Sequence, residues 1–223
     1  KVLLEADLDS GARIINMVFG ENAEVETTAK GTFNRLEKLE RENHEVSLEL
    51  SSHILYLKDA SLEDSVCADL NLGRYAEAES AARTLLSLPT NKDLDLLGPL
   101  LMTRGDRPWA QVLLAQAEAG QGHKEEALNT LEPALAQYRQ RQTQGASDVP
   151  FRQRFVRALY VQALAEPNDV GGLARRRDEL HEAERVLQGL TDEARQLHDS
   201  KELLSWIAKE QKQVSQPAEN KEP

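Results

Sequence analysis

Apolar positions along this chain recur at helical intervals almost throughout. Residues 46–57 place Val46, Leu50, Ile54 and Leu57 at steps of four, four and three, the spacing that lines one helical face. The alternation Val46, Leu48, Leu50 also fits a short strand, but a dozen residues of helical period outweigh five alternating ones without a partner strand. This helix is expected to run on through Ser61 toward Leu72, or to restart there with Ser61 as its cap. Upstream, Ile14, Ile15, Val18 and Phe19 end a first helix that Gly20 and Asn22 terminate, and Phe33, Leu36 and Leu39 mark a second.

Further along, Phe151, Phe155, Leu159 and Ala163 return at four-residue steps. Leu173, Leu180, Ala183 and Leu187 share one side of the next segment, with Gly171 and Gly172 between the two. Leu203, Trp206 and Ile207 predict a last helix with charge on its other face, read as a cap that buries the final open apolar surface. From Val214 onward there is no apolar period and two prolines occur, which reads as a disordered tail. Aromatic residues are only 4% of the chain, while alanine, leucine, glutamate, arginine and glutamine dominate, so an all-α fold is expected.

The chain also repeats itself. Shifted by 49 positions, Ala68, Gly73, Glu77, Ala78 and Leu86 fall on Ala117, Gly122, Glu126, Ala127 and Leu135, while Ala82 and Leu85 fall on Leu131 and Ala134. Gly73 and Gly122 suit a tight interhelix turn that needs a positive backbone angle, and Ala78 and Ala127 keep the packing face of the following helix small. Pro133 falls inside the second of these helices, where a kink is expected.

These residues resemble the tetratricopeptide family of helix-turn-helix repeats. One unit supplies Ala68, Gly73, Tyr75, Ala78, Leu85 and Pro89 to its pattern, and a second supplies Ala115, Gly122, Ala127, Leu131 and Ala134, with Lys124 where Tyr is usual. The early aromatic of the pattern is missing from both units. The family's repeat is about 34 residues, so a period of 49 implies an insertion of about 15, assigned to residues 92–107. The resemblance implies a right-handed superhelical stack of about four antiparallel helix pairs. Its expected organisation is N-terminal helices at 1–58, repeats at 59–190, a capping helix at 191–212 and the tail at 213–223.

Charge and composition narrow the function. The chain carries 38 acidic and 27 basic residues, a formal charge of −11 that repels nucleic-acid phosphates and anionic lipid. A single cysteine, Cys67, excludes an intrachain disulfide, and its expected state is a small buried thiol. Apolar runs are too short to span a bilayer. The opening at Lys1 suggests a piece of a longer, bacterial-type multidomain or membrane-anchored protein, whose soluble domain is cytoplasmic or extracytoplasmic.

Chemistry-bearing patterns are sparse. Among His44, His53, His123, His181 and His198 no two make the i, i+4 pair of a helical zinc site, and His181 with Glu184 gives two ligands at most. Gly120 and Gly122 lack the rest of a nucleotide loop. Carboxylates are too abundant to single out a general acid, so neither catalysis nor a cofactor or metal is expected; a hidden carboxylate hydrolase is the enzyme alternative.

The expected function is therefore a non-catalytic scaffold that binds a peptide or protein segment in a groove lined by first helices. The alternative is a self-association module, a homodimer placing attached domains together. Groove candidates in the two units are Glu63, Asn71, Trp109, Val112 and Gln116, with Trp109 as an aromatic anchor. Arg154 and Arg157 share a face beside the Phe151/Phe155 stripe and suit an acidic segment, the competing reading for them and Arg152 being an intramolecular network. Arg175, Arg176 and Arg177 fan around their helix toward solvent and nearby acids. The resemblance also brings a chaperone-tail clamp to mind, but Glu63 and Cys67 occupy the places of its Lys and Asn.

Overall fold

A computed structural model describes residues 22–42, 48–88 and 107–215. Nine helices and no strand occur among the described residues: α1 (Asn22–Glu42), α2 (Leu48–Asn71), α3 (Tyr75–Ser87), α4 (Arg107–Gly120), α5 (Lys124–Thr143), α6 (Val149–Ala165), α7 (Val170–Gln188), α8 (Asp192–Arg195) and α9 (His198–Ser215). The fold is all-α, as the periodicity predicts. The expected helix ending at Phe19 and most of the 92–107 insertion lie outside the described residues.

The chain forms two compact units, Lys1–Ala117 and Glu118–Pro223. In the first, α1 packs on α2 through Leu36, Ile54 and Leu57. Ion pairs join Glu37 to Lys58, Lys30 to Asp69 at 3.1 Å, and Glu26 to Arg74. Partner numbers fall as α1 numbers rise, so α1 and α2 are antiparallel. The second helix runs unbroken to Asn71, which settles the choice left at Ser61: that residue is buried mid-helix and is not a cap. It also crosses the expected boundary at 58/59, because its apolar face continues through Leu62, Val66 and Leu70, all at most 6% exposed.

Gly73 ends α2 at φ +72°. Its N–H donates to the Leu70 carbonyl at 3.1 Å, and the Arg74 N–H donates to the Asp69 carbonyl at 2.9 Å, the double bond of a left-handed helix stop. Arg74 (φ −88°, ψ 65°) then opens α3, whose Ala78, Ala82 and Leu85 are buried.

In the second unit the same turn recurs 49 residues on. Gly122 has φ +87°, its N–H donates to Ala119 at 3.0 Å, the His123 N–H donates to Glu118 at 2.9 Å, and His123 (φ −80°, ψ 64°) opens α5. Ala127 and Leu131 are fully buried. Both helices therefore begin from one backbone conformation without a side-chain cap. One equivalence was not read from the sequence: Asp69 and Glu118, which offer the terminal carbonyls, are both buried acids, 0% and 3% exposed. Helix α5 continues through Pro133; Pro133 and Asn129, whose carbonyl loses its donor, are both exposed, so the freed carbonyl lies on the solvent side of the helix.

Helix α6 starts on Asp148, whose carboxylate accepts the Phe151 N–H at 2.9 Å, and buries Phe151, Phe155, Leu159 and Ala163 as their spacing predicts. Tyr138 of α5 meets Phe151 and Phe155 with ring centroids 5.9 and 6.0 Å away. Gly171 and Gly172 were expected between helices, but both lie in the first turn of α7, which Asp169 caps by accepting the Gly172 N–H at 2.7 Å. Gly172 serves a close approach: a β-carbon there would stand 2.8 Å from the Pro167 carbonyl carbon. Helix α9 packs on α6 and α7 through Leu203 and Ile207. It extends past the expected end at 212 to Ser215, since half-buried Val214 continues the face of Ile207 and Glu210. No helix among the described residues is long and apolar enough to cross a membrane.

Candidate docking cleft

The groove residues predicted in the first unit do not form an open surface. Trp109 is 8% exposed and its indole N–H donates to Glu63 Oε1 at 2.7 Å, while Val112 is 0% exposed. Both side chains are taken up in the chain's own packing. The cause is α4 itself: Ala110, Val112, Leu113, Leu114, Ala115 and Ala117 are all buried, so apolar residues cover several faces of the helix, with Gln111, Gln116 and Ala119 half-buried between them. Of the five candidates the structure brings together Glu63 and Trp109; Asn71 sits exposed at the end of α2.

On the second unit Arg157 is spent inside the chain. Its guanidinium lies 5.4 Å from the centre of the Trp206 ring, which also packs on Tyr160 at 5.5 Å. Arg154 is half-buried on the same helix and likewise engaged. Arg157 is thereby held against the C-terminal helix. Arg175 and Arg176 follow the expected pattern, pairing with Glu166 at 2.7 Å and with Glu210, and Arg177 is exposed.

A cleft of about 500 Å³ opens nearby, within the usual size range of ligand sites. Three elements build it: the turn after α5 (Gln142, Gly145, Ala146, Ser147), the start of α6 (Phe151, Arg152) and the end of α7 (Glu182, Arg185, Val186, Gly189). The turn repeats the left-handed stop seen twice before, with Gly145 at φ +87° and the Ala146 N–H donating to the Arg141 carbonyl at 3.0 Å. Arg141 is carried back over the Phe151 ring, 5.0 Å from its centre. Glu182, the one carboxylate in the lining, faces Arg139 at 3.8 Å. Arg185 makes a long hydrogen bond of 3.4 Å to the His181 carbonyl. The Arg152 guanidinium has neither an ion pair nor a hydrogen bond among the described residues. A second cleft, about 420 Å³, is lined by Asp178, His181, Glu184, Arg185 and Gln188, all from α7, and is the open face of one helix.

The same unit holds a buried acid pair. Glu166 and Glu179 are 4% and 9% exposed. Burial first, and then the neighbouring Glu166 carboxylate, push Glu179 up to about 8 against the pull of Arg139 and Arg175. Glu179 lines neither cleft, so this perturbed carboxyl is not placed to act on a ligand in them. No group of three or more metal-binding side chains occurs among the described residues.

Sequence reasoning passed over Arg185, Glu182 and Gly189, because each sits in a stretch of ordinary charged helix and only the meeting of α5, α6 and α7 gathers them. No family model matches the chain, and neither a curated protein nor a solved structure matches it.

Proposed function

We propose that this chain is a non-catalytic protein-interaction module. Its helix pairs are tetratricopeptide-like repeats in a right-handed superhelical stack, and a segment of another protein docks in the cleft between α5, α6 and α7. The observation that supports this reading is that a cleft built by three elements keeps an arginine head, Arg152, with no intramolecular partner among the described residues. The repeated turn at Gly73 and Gly122 supports the repeat reading.

The test is site-specific photo-cross-linking from Ser147 in the cleft, with exposed Ser80 on α3 as control. The expected result is one protein cross-linked from 147 and not from 80, which binds the purified chain in calorimetry once produced separately. Cross-linking only to a second copy, with a dimer in sedimentation, would replace the scaffold by the self-association module.

A further inference from the structure

Arg152 is held in place by an unusual choice of neighbour. Gly189 caps α7 at φ −72°, ψ −5°, a conformation open to every residue, so the backbone does not call for glycine. The space favours it only through Arg152: a β-carbon on Gly189 would lie 2.5 Å from Arg152 Nη1 and 3.6 Å from its Cζ, so a side chain there would push the flexible guanidinium aside. The missing side chain leaves a seat for the guanidinium over the end of α7, where the helix dipole favours a cation. No hydrogen bond to the α7 carbonyls accompanies this, so the planar donor set remains available at the cleft.

We infer that Arg152, seated on Gly189, and Arg185, one turn earlier on α7, form a recognition site for a carboxylate side chain of an acidic peptide segment. The inference rests on the interaction-module reading and names the ligand chemistry of the same cleft. Guanidinium groups meet carboxylates with paired, charge-assisted hydrogen bonds. Glu182 does not occupy them, being turned to Arg139 at 3.8 Å. Half-buried Ala146 and Val186 line the same cleft and suit an apolar neighbour of the acidic residue. A polyanionic nucleic acid is disfavoured by the charge of −11 on the rest of the chain, whereas a short acidic segment meets only the cleft.

The experiment uses two fluorescent octapeptides, blocked at both ends, with two central glutamates or two glutamines between leucines. The full chain is expected to bind the glutamate peptide at least about tenfold more tightly, the scale of hydrogen bonds to a charged group. R152Q and R185Q each remove about tenfold, and so does G189A, which displaces Arg152 without touching the ligand. R177Q, exposed on α7 outside the cleft, leaves binding unchanged, and circular dichroism is the same for all four variants. Equal affinity for the two peptides, insensitivity to R152Q, or displacement by sulfate at the concentration of peptide carboxylates would each overturn the assignment. If residue 147 still captures a partner while the peptides bind alike, the module reading stands and the carboxylate site falls. If the peptides are told apart but no partner is captured, only the module reading fails.

Discussion

Glu179 is a residue only 9% exposed, and burial pushes its carboxyl up to about 8 from the ordinary 4.5. The folded chain therefore holds a proton on Glu179 between those two values, while the unfolded chain has released it. Folding then takes up a proton, so stability is fully present below pH 4.5, is lost progressively as pH rises toward 8, and is level above that. At 1.36 kcal/mol per pH unit the whole span is worth about 5 kcal/mol, and the part between 4.5 and 7 about 3 kcal/mol. Glu179→Gln keeps the shape and cannot ionise. It is expected to exceed the parent in stability by about 3 kcal/mol at pH 7, and by more at pH 8, while the two converge near pH 4.5. Urea titrations at pH 5, 6, 7, 8 and 9 measure this. A difference that stays constant over that range, or a glutamine variant less stable at pH 8, refutes the reasoning.

Gly73→Ala and Gly122→Ala should each cost about 1–2 kcal/mol in urea unfolding, because both sit at positive φ with open space around them and the penalty is purely that of the backbone. An Asn at either position should recover part of the loss. Trp109→Ala should lower stability by about 3–5 kcal/mol, since the indole is buried against Glu63; unchanged melting would return Trp109 to the surface. Gly172→Ala should destabilise by about 1–3 kcal/mol through collision with the Pro167 backbone, whereas Gly171→Ala, whose nearest atom is the Asp169 carboxylate at 3.4 Å, should be nearly silent in the same melts.

Much of this architecture was legible because it depends on local chemistry. Helical content follows from spacing and propensity, and Gly73 and Gly122 were found because only glycine takes that turn comfortably. Ala78 and Ala127 were likewise found as small residues at a buried position. The failures share one cause. A spacing argument assigns a helix one apolar face and leaves the other for a ligand. Yet α4 and α6 are buried on several faces, which put Trp109, Val112 and Arg157 inside contacts. Glu179 was invisible for a related reason: in a chain with 38 acidic residues nothing local marks which of them tertiary packing buries beside another carboxylate.

The basic cleft in an acidic chain is a matter of where helices end. Arginines are favoured near helix C-termini, and Arg141 and Arg185 lie in the last turns of α5 and α7. Where those two ends meet beside Arg152, the cleft is lined by two guanidiniums, Arg152 and Arg185, and one carboxylate, Glu182, which Arg139 pairs from outside the lining. The two helix ends contribute roughly −0.5 each. With Arg139 offsetting Glu182, a local balance of about +1 remains, from which Asp148 at the rim subtracts about half a charge once the positive start of α6 that it caps is counted. The cleft is thus positive although the chain carries −11, and within about 10 Å, the screening length at moderate salt, a docking segment responds to the nearer charges. Raising the salt should therefore weaken binding of the glutamate peptide and leave the glutamine peptide unaffected; a glutamate peptide whose affinity rises with salt would mean that the net charge, not the cleft, governs the encounter.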